Sequence, residues 1–203
     1  MKRSFDILIS GIALLLLLPV GLVVAIAVWW SMGRPVLFRQ VRPGLGGKPF
    51  EVMKFRTMSS ETDDDGQLLP DHQRMTRVGR FLRSSSLDEL PQLWNVIRGD
   101  MSLVGPRPLL TEYLDRYTPR QARRHEVRPG ITGLAQVNGR NAASWSDRLE
   151  MDVRYVEQQS LWLDLKIIWR TFFKVSKREG ITQAGHATVE RFQGDSQTAG
   201  GSA

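Results

Sequence analysis

Two adjacent acids, Asp88 and Glu89, sit in the stretch "RFLRSSSLDELPQLWNVIRGDMSLVGPRP", which is otherwise charged by arginine. Six arginines fall between Arg74 and Arg107, and the one further acid there is Asp100. A free aspartate has a pKa of about 3.9, so Asp88 is an anion at neutral pH without special tuning. Guanidinium groups match phosphate oxygens in bidentate geometry. Arginines that gather a polyphosphate, with a divalent ion to offset repulsion, would let such a carboxylate accept a phosphoryl group. The same residues also have a plain structural reading. Ser86-x-x-Glu89 has the form of a capping box, acids in a first helical turn complement the helix dipole, and Pro91 is tolerated there, so Asp88 is an alternative cap.

The neighbours weigh toward chemistry. Arg83 closely precedes the acids, and Arg107 is clamped between prolines in "GPRP". Lys54 and Arg56 stand in "KFRTM", while Arg128 and Arg140 belong to the glycine-rich "RPGITGLAQVNGRN". Glycines let backbone N–H groups approach phosphates closely. No P-loop, metal-binding histidine pair or serine triad is present, and His72, His125 and His186 are scattered, as surface residues would be.

The elements that must position these groups are legible in outline. "VLFRQV" and "PFEVMKFR" flank the turn "RPGLGGK" and predict a β-hairpin. "SSETDDDGQLLPDHQ" reads as a surface loop. "TRVGRFLRS" and "ELPQLWNVIRG" have helical spacing, with Gly99 as the stop. "MSLVGPRP" reads as extended chain, "EYLDRYTPRQARRHEV" as a charged helix interrupted near Pro119, and "RPGITGLAQVNGRN" as loop. Helices follow at about 146–159 and 161–177. The second carries Trp162, Leu165, Trp169 and Phe172 on one broad side, which suits a core helix or one lying on a membrane surface. The end, "GDSQTAGGSA", reads as a frayed tail.

The N-terminus places all this at a membrane. No residue from Ile7 to Gly33 is charged, a run too long for a signal peptide and without a cleavage site. Pro19 lies near its middle, and basic residues flank both ends: Lys2 and Arg3 before, Arg34, Arg39 and Arg42 after. A spanning helix normally has its positive excess on one side. The residues admit either a kinked transmembrane anchor or a helix broken at Pro19 that enters and leaves by one face. A net charge of +7 and a pI near 10.2 favour polyanionic partners, and the absence of cysteine excludes disulfide scaffolds and thiolate zinc sites. A membrane-tethered nucleic-acid binder would explain the charge, but no recognition helix or RNP motif is evident, so no nucleic-acid partner is expected. A non-catalytic membrane scaffold would leave the acid pair among arginines unexplained.

With "KFRTM", "RSSSLDELPQLWNVIRGDMSLVGPRPLL", "VRPGITGLAQVNGRN" and "LDLKI" in this order, the chain resembles the bacterial sugar transferase family, the monotopic phosphoglycosyl transferases. Within it, "LLPDHQR" and "HATVERFQG" look closest to the PglC-type branch that transfers N,N'-diacetylbacillosamine 1-phosphate, although Leu18 stands where that branch can carry serine. The resemblance implies transfer of a sugar 1-phosphate from a UDP-sugar to undecaprenyl phosphate at the cytoplasmic face of the bacterial plasma membrane, with release of UMP. It implies an α/β fold, α-rich with a small β-hairpin or sheet. A re-entrant anchor broken at Pro19 would cover residues 1–33, a catalytic domain 34–185 and a partly flexible tail 186–203. Asp88 would be the nucleophile and a ligand of Mg2+, with Glu89 its acidic partner. Lys54, Arg83, Arg107 and Arg140 would contact phosphates, and the basic surface would rest on anionic lipids. Asp152 and Asp164 match acidic positions of the family, as functional or structural residues. A UDP-glucose or UDP-galactose hexose-1-phosphate transferase is the alternative within the family.

Overall fold

The computed structural model describes residues 1–138, 143–176 and 192–194. It opens with α1, Lys2–Met32, which ends where Gly33 adopts φ 68° and donates its N–H to the Trp29 carbonyl at 2.8 Å. Among the described residues it is the one helix long and apolar enough to cross a membrane. Residues on both sides of Pro19 are helical, so the expected break is not a gap in the helix.

No residue from 11 to 23 is buried, yet both ends of α1 are held by the rest of the chain. At the start, Arg3 donates to the Val96 and Ile97 carbonyls at 2.6 and 2.9 Å, and Lys2 meets Asp164 at 2.5 Å. The Ser102 hydroxyl donates to the buried Asp6 carboxylate at 2.8 Å. At the far end, Val24 and Val28 pack with Phe55 and Leu82, each burial contributing about 1.5–3 kcal/mol.

Strands β1 (Leu37–Pro43) and β2 (Pro49–Phe55) form the expected antiparallel hairpin, in register from Leu37 opposite Phe55 to Pro43 opposite Pro49. An exposed loop leads to a short α2 (Asp71–Arg74) and to α3 (Arg77–Ser85), whose cap Thr76 accepts from the Gly79 N–H at 2.9 Å. Helix α4 (Gln92–Arg98) stops at Gly99, φ 100°, where the sequence placed its end. The buried Asn95 braces α4 to β2, accepting from the Met53 N–H at 3.1 Å and donating to the Glu51 carbonyl at 2.8 Å.

The segment expected as one interrupted helix is a 3-10 run over Thr111–Arg116, a one-turn α5 (Pro119–Ala122) and a second 3-10 run over Arg123–Glu126. Pro119 begins α5, where its missing N–H costs nothing, and Thr118 and Gln121 form a capping box. The glycine-rich stretch expected as loop instead supplies β4 (Gly130–Thr132), parallel to β3 (Ser102–Val104), and α6 (Leu134–Asn138). A Cβ on Gly130 would lie 2.1 Å from the Gly105 nitrogen, so this glycine serves the contact between two chain segments rather than an approach to phosphate.

Helix α7 (Trp145–Gln158), capped by Ser144, and α8 (Leu161–Ser176) close the fold. On α8, Asp164 and Ile167 are buried while Trp162, Trp169 and Phe172 are about two-thirds exposed, so one side joins the core and the aromatic side faces outward. The expected tail falls mostly outside the described residues. Phe192 within it is buried against Tyr113, Tyr117 and Trp145, so at this point the chain is packed rather than frayed.

Candidate active site

Helix α3 closes at Ser86, φ 58°, the one non-glycine residue with positive φ among the described residues. A left-handed residue with a Cβ costs about 1–2 kcal/mol, and such strain gathers at functional sites. It swings the chain into a 3-10 turn, Leu87–Glu89, before Pro91 introduces α4. Leu87 and Leu90 pack on the core that α1 shares with α3, holding the two acids between them. Neither capping reading is realised: Ser86 makes no side-chain cap bond, and the acids precede α4 rather than open it.

Glu89 is locked. Its Oε1 accepts from Lys54 Nζ at 2.6 Å and from Arg107 Nη2 at 2.8 Å, which joins β2, the acid turn and the GPRP loop at one oxygen. Burial alone would raise the Glu89 carboxyl, but Arg107 and Lys54 overcome it and hold the group well below the usual carboxylate range. Glu89 in turn raises Arg107, whereas burial lowers Lys54.

Asp88 is buried, and among the described residues no hydrogen bond reaches its carboxylate. Burial first, then the adjacent Glu89 charge, push its pKa up to about 6, against the opposing charges of Lys54, Arg107 and Arg83. Arg83, itself lowered by burial, is steered by its Nε bond to the Thr57 hydroxyl at 3.1 Å. Asp88 is therefore a carboxylate with a raised proton affinity, ringed by three cations and poorly solvated. Those are properties of an activated nucleophile toward a bound anion.

Four of the residues expected at the site thus come together with Asp88: Glu89, Lys54, Arg83 and Arg107. Arg140 lies outside the described residues. Arg56 and Arg128 serve the backbone instead, Arg56 donating to the Pro35 carbonyl at 2.8 Å and Arg128 to the Gly99 carbonyl at 2.9 Å. Asp164 and Asp152 lie apart from the acid turn in internal pairs, the first bound to Lys2 and the Tyr155 hydroxyl, the second to Arg124. His125, expected at the surface, is half-buried on the Gly44 carbonyl, and burial lowers its pKa to about 4. Sequence reading missed Thr57 and Arg124, whose partners lie 26 and 28 residues away and leave no local pattern.

Among the described residues no three acids or histidines cluster as a self-sufficient metal cage. Magnesium does not require one, because it keeps several waters and takes one or two carboxylates plus substrate phosphates. The paired acids, Asp88 buried and Glu89 half-buried, fit that requirement.

Comparison with known proteins agrees with this arrangement. The family model described as "Bacterial sugar transferase" matches residues 1–178. The "Uncharacterized sugar transferase EpsL" of Bacillus subtilis is 57% identical, over 96% of each chain. Two proteins named UDP-glucose:undecaprenyl-phosphate glucose-1-phosphate transferase are also similar. That of Klebsiella pneumoniae is 47% identical over 85% of this chain and 39% of its own, and that of Caulobacter vibrioides 46% over 84% and 67%. The chain thus spans about two-fifths of the Klebsiella protein. These names overturn the expected closeness to the bacillosamine branch, whose short quoted stretches lie outside the acid turn and its cations. The match over nearly the whole described chain, with the acid pair and its cations inside it, means that the chain belongs to the bacterial sugar transferase family.

Proposed function

We propose that the protein is a polyprenyl-phosphate phosphoglycosyl transferase that moves glucose 1-phosphate from UDP-glucose to undecaprenyl phosphate and releases UMP. UDP-galactose is the neighbouring alternative donor. The observation that carries this reading is the buried, unbonded Asp88 carboxylate facing Lys54, Arg83 and Arg107 beside a locked Glu89.

In the first step an Asp88 oxygen attacks the β-phosphorus of the donor. A bond forms from that oxygen to phosphorus, the bond from the β-phosphorus to the bridging oxygen breaks, and UMP leaves with that oxygen. In the second, a phosphate oxygen of the acceptor attacks the same phosphorus and the Asp88 carboxylate is displaced. Arg83, Arg107 and Arg140 bind the phosphates, with Lys54 assisting, while Glu89 fixes Lys54 and Arg107. Mg2+, held by Asp88 with Glu89 alongside, would offset charge on the diphosphate when bound.

The same reading assigns α1 a re-entrant course with both flanks on the cytoplasmic side. Its support is that α1 docks at both ends on one body, through Arg3 on α4 and through Val24 and Val28 beside α3, while residues 11–23 are unburied. These are the two helices that flank the acid turn, so the anchor also sets the site. The outward aromatics of α8 and the chain's basic charge suit an anionic lipid surface. The same reading divides the chain into an anchor at 1–33, a catalytic domain at 34–185 and a tail at 186–203.

The test is UMP release by the purified protein with undecaprenyl phosphate and a panel of UDP-sugars. Release with UDP-glucose, and none with UDP-N,N'-diacetylbacillosamine, is expected; the opposite selectivity would overturn the donor assignment.

A further inference from the structure

Behind Arg107 lies a second charged pair that the reaction as described does not use. Arg124 and Asp152 are 2% and 4% exposed, so a guanidinium and a carboxylate are buried together. Arg124 donates to Asp152 Oδ2 from Nη2 at 2.8 Å and from Nε at 3.1 Å. The same Nη2 donates to the main-chain carbonyl of Arg107 at 2.6 Å, and Nη1 to the Tyr117 hydroxyl at 3.3 Å. One planar group therefore ties α7, the Tyr117 turn and the GPRP loop together.

Burying an ion pair is a poor source of stability, because desolvation takes back most of the attraction. Here it is also incomplete, since Asp152 Oδ1 is buried with no hydrogen-bond partner among the described residues. What the pair does supply is geometry. A guanidinium offers N–H donors in a fixed fork, which a flexible ammonium cannot reproduce. The flanking prolines stiffen Arg107 but leave two positions of its loop without a backbone N–H donor, and Arg124 grips the carbonyl of Arg107 itself.

We propose that Arg124 and Asp152 are positioning residues that hold the Arg107 backbone so that its side chain meets Glu89 and the donor diphosphate in one orientation. This rests on the reading of Arg107 as a phosphate contact, and two measurements separate the claims. The first is amide hydrogen exchange of the peptide containing Arg107 in Arg124→Lys, which keeps charge beside Asp152 but cannot hold both acceptors. The second is KM and kcat for UDP-glucose in Arg124→Lys, Arg107→Met and the double variant.

Exchange of the Gly105 amide, which bonds the Thr132 carbonyl at 2.9 Å at the foot of the GPRP loop, should speed at least about tenfold in Arg124→Lys while the core helices keep their protection. The KM should rise about tenfold, in keeping with the cost of misplacing a binding group by an ångström, and the double variant should be no worse than Arg107→Met alone. Asp152→Asn, which retains an acceptor of the same size, should show a smaller change in the same direction. Unchanged exchange in Arg124→Lys would overturn the proposal, as would losses that multiply in the double variant. Faster exchange with a silent Arg107→Met would uphold the positioning and remove instead the phosphate role of Arg107.

Discussion

Asp88 is costly to fold as well as useful. Its carboxyl is raised from about 3.8 to about 6, chiefly by burial and then by Glu89. Well below pH 3.8 the group is protonated in the folded and unfolded chain alike and costs nothing. Above pH 6 it is ionised in both, and only the folded state bears the burial, so its penalty grows as pH rises between those values. Asp88→Asn should therefore abolish transfer yet stabilise the fold in chelator at pH 8 by about 1–3 kcal/mol, with the gain shrinking toward pH 5. Denaturation midpoints of the two proteins across pH 5–8 measure this, and a gain that ignores pH would contradict the assignment. The acids and most of their cations were legible in the sequence because charge density and proline-stiffened chain are local signals. The division between a locked Glu89 and an unbonded Asp88 was not, because it depends on Lys54 arriving from a strand 35 residues away.

Helices α3 and α4 present the acid turn, α3 packed on the chain leaving the hairpin and α4 braced on β2. A Cβ on Gly79 would lie 1.8 Å from the Thr57 carbonyl, so α3 packs directly against the chain leaving β2. Gly79→Ala should cost about 1–3 kcal/mol by overpacking and displace Arg83 from Thr57. On α4, Asn95→Ala would leave the Met53 N–H and the Glu51 carbonyl unpaired, at about 1–3 kcal/mol for each group. Urea unfolding reports both losses, and the Gly79 variant should lose more activity than its stability explains. Hairpin and helices were readable from residue spacing, the glycine-rich turn and the Gly99 stop. The parallel pairing of β3 with β4 was not, since three-residue strands carry no period and Gly105 and Gly130 matter only through each other.

For the molecule as a whole, the course of α1 decides where catalysis takes place. Composition identified the apolar segment and the basic charge on both flanks, but not that Arg3 closes the end of α4 while Val28 seals the core beside α3. With both ends on one body, cysteines placed singly at Ser4 and Lys48 in this cysteine-free chain should react with an impermeant maleimide from the same side of sealed vesicles. Labelling from opposite sides would make α1 a spanning helix. The central claim is that Asp88 carries the sugar phosphate, and intact-protein mass tests it most directly. Purified protein is mixed with UDP-glucose and Mg2+, and undecaprenyl phosphate is left out. A mass gain of one hexose phosphate, absent in Asp88→Asn, is the expected result. No adduct, with UMP released only once the lipid phosphate is added, would contradict it and reduce Asp88 to a binding residue in a direct transfer.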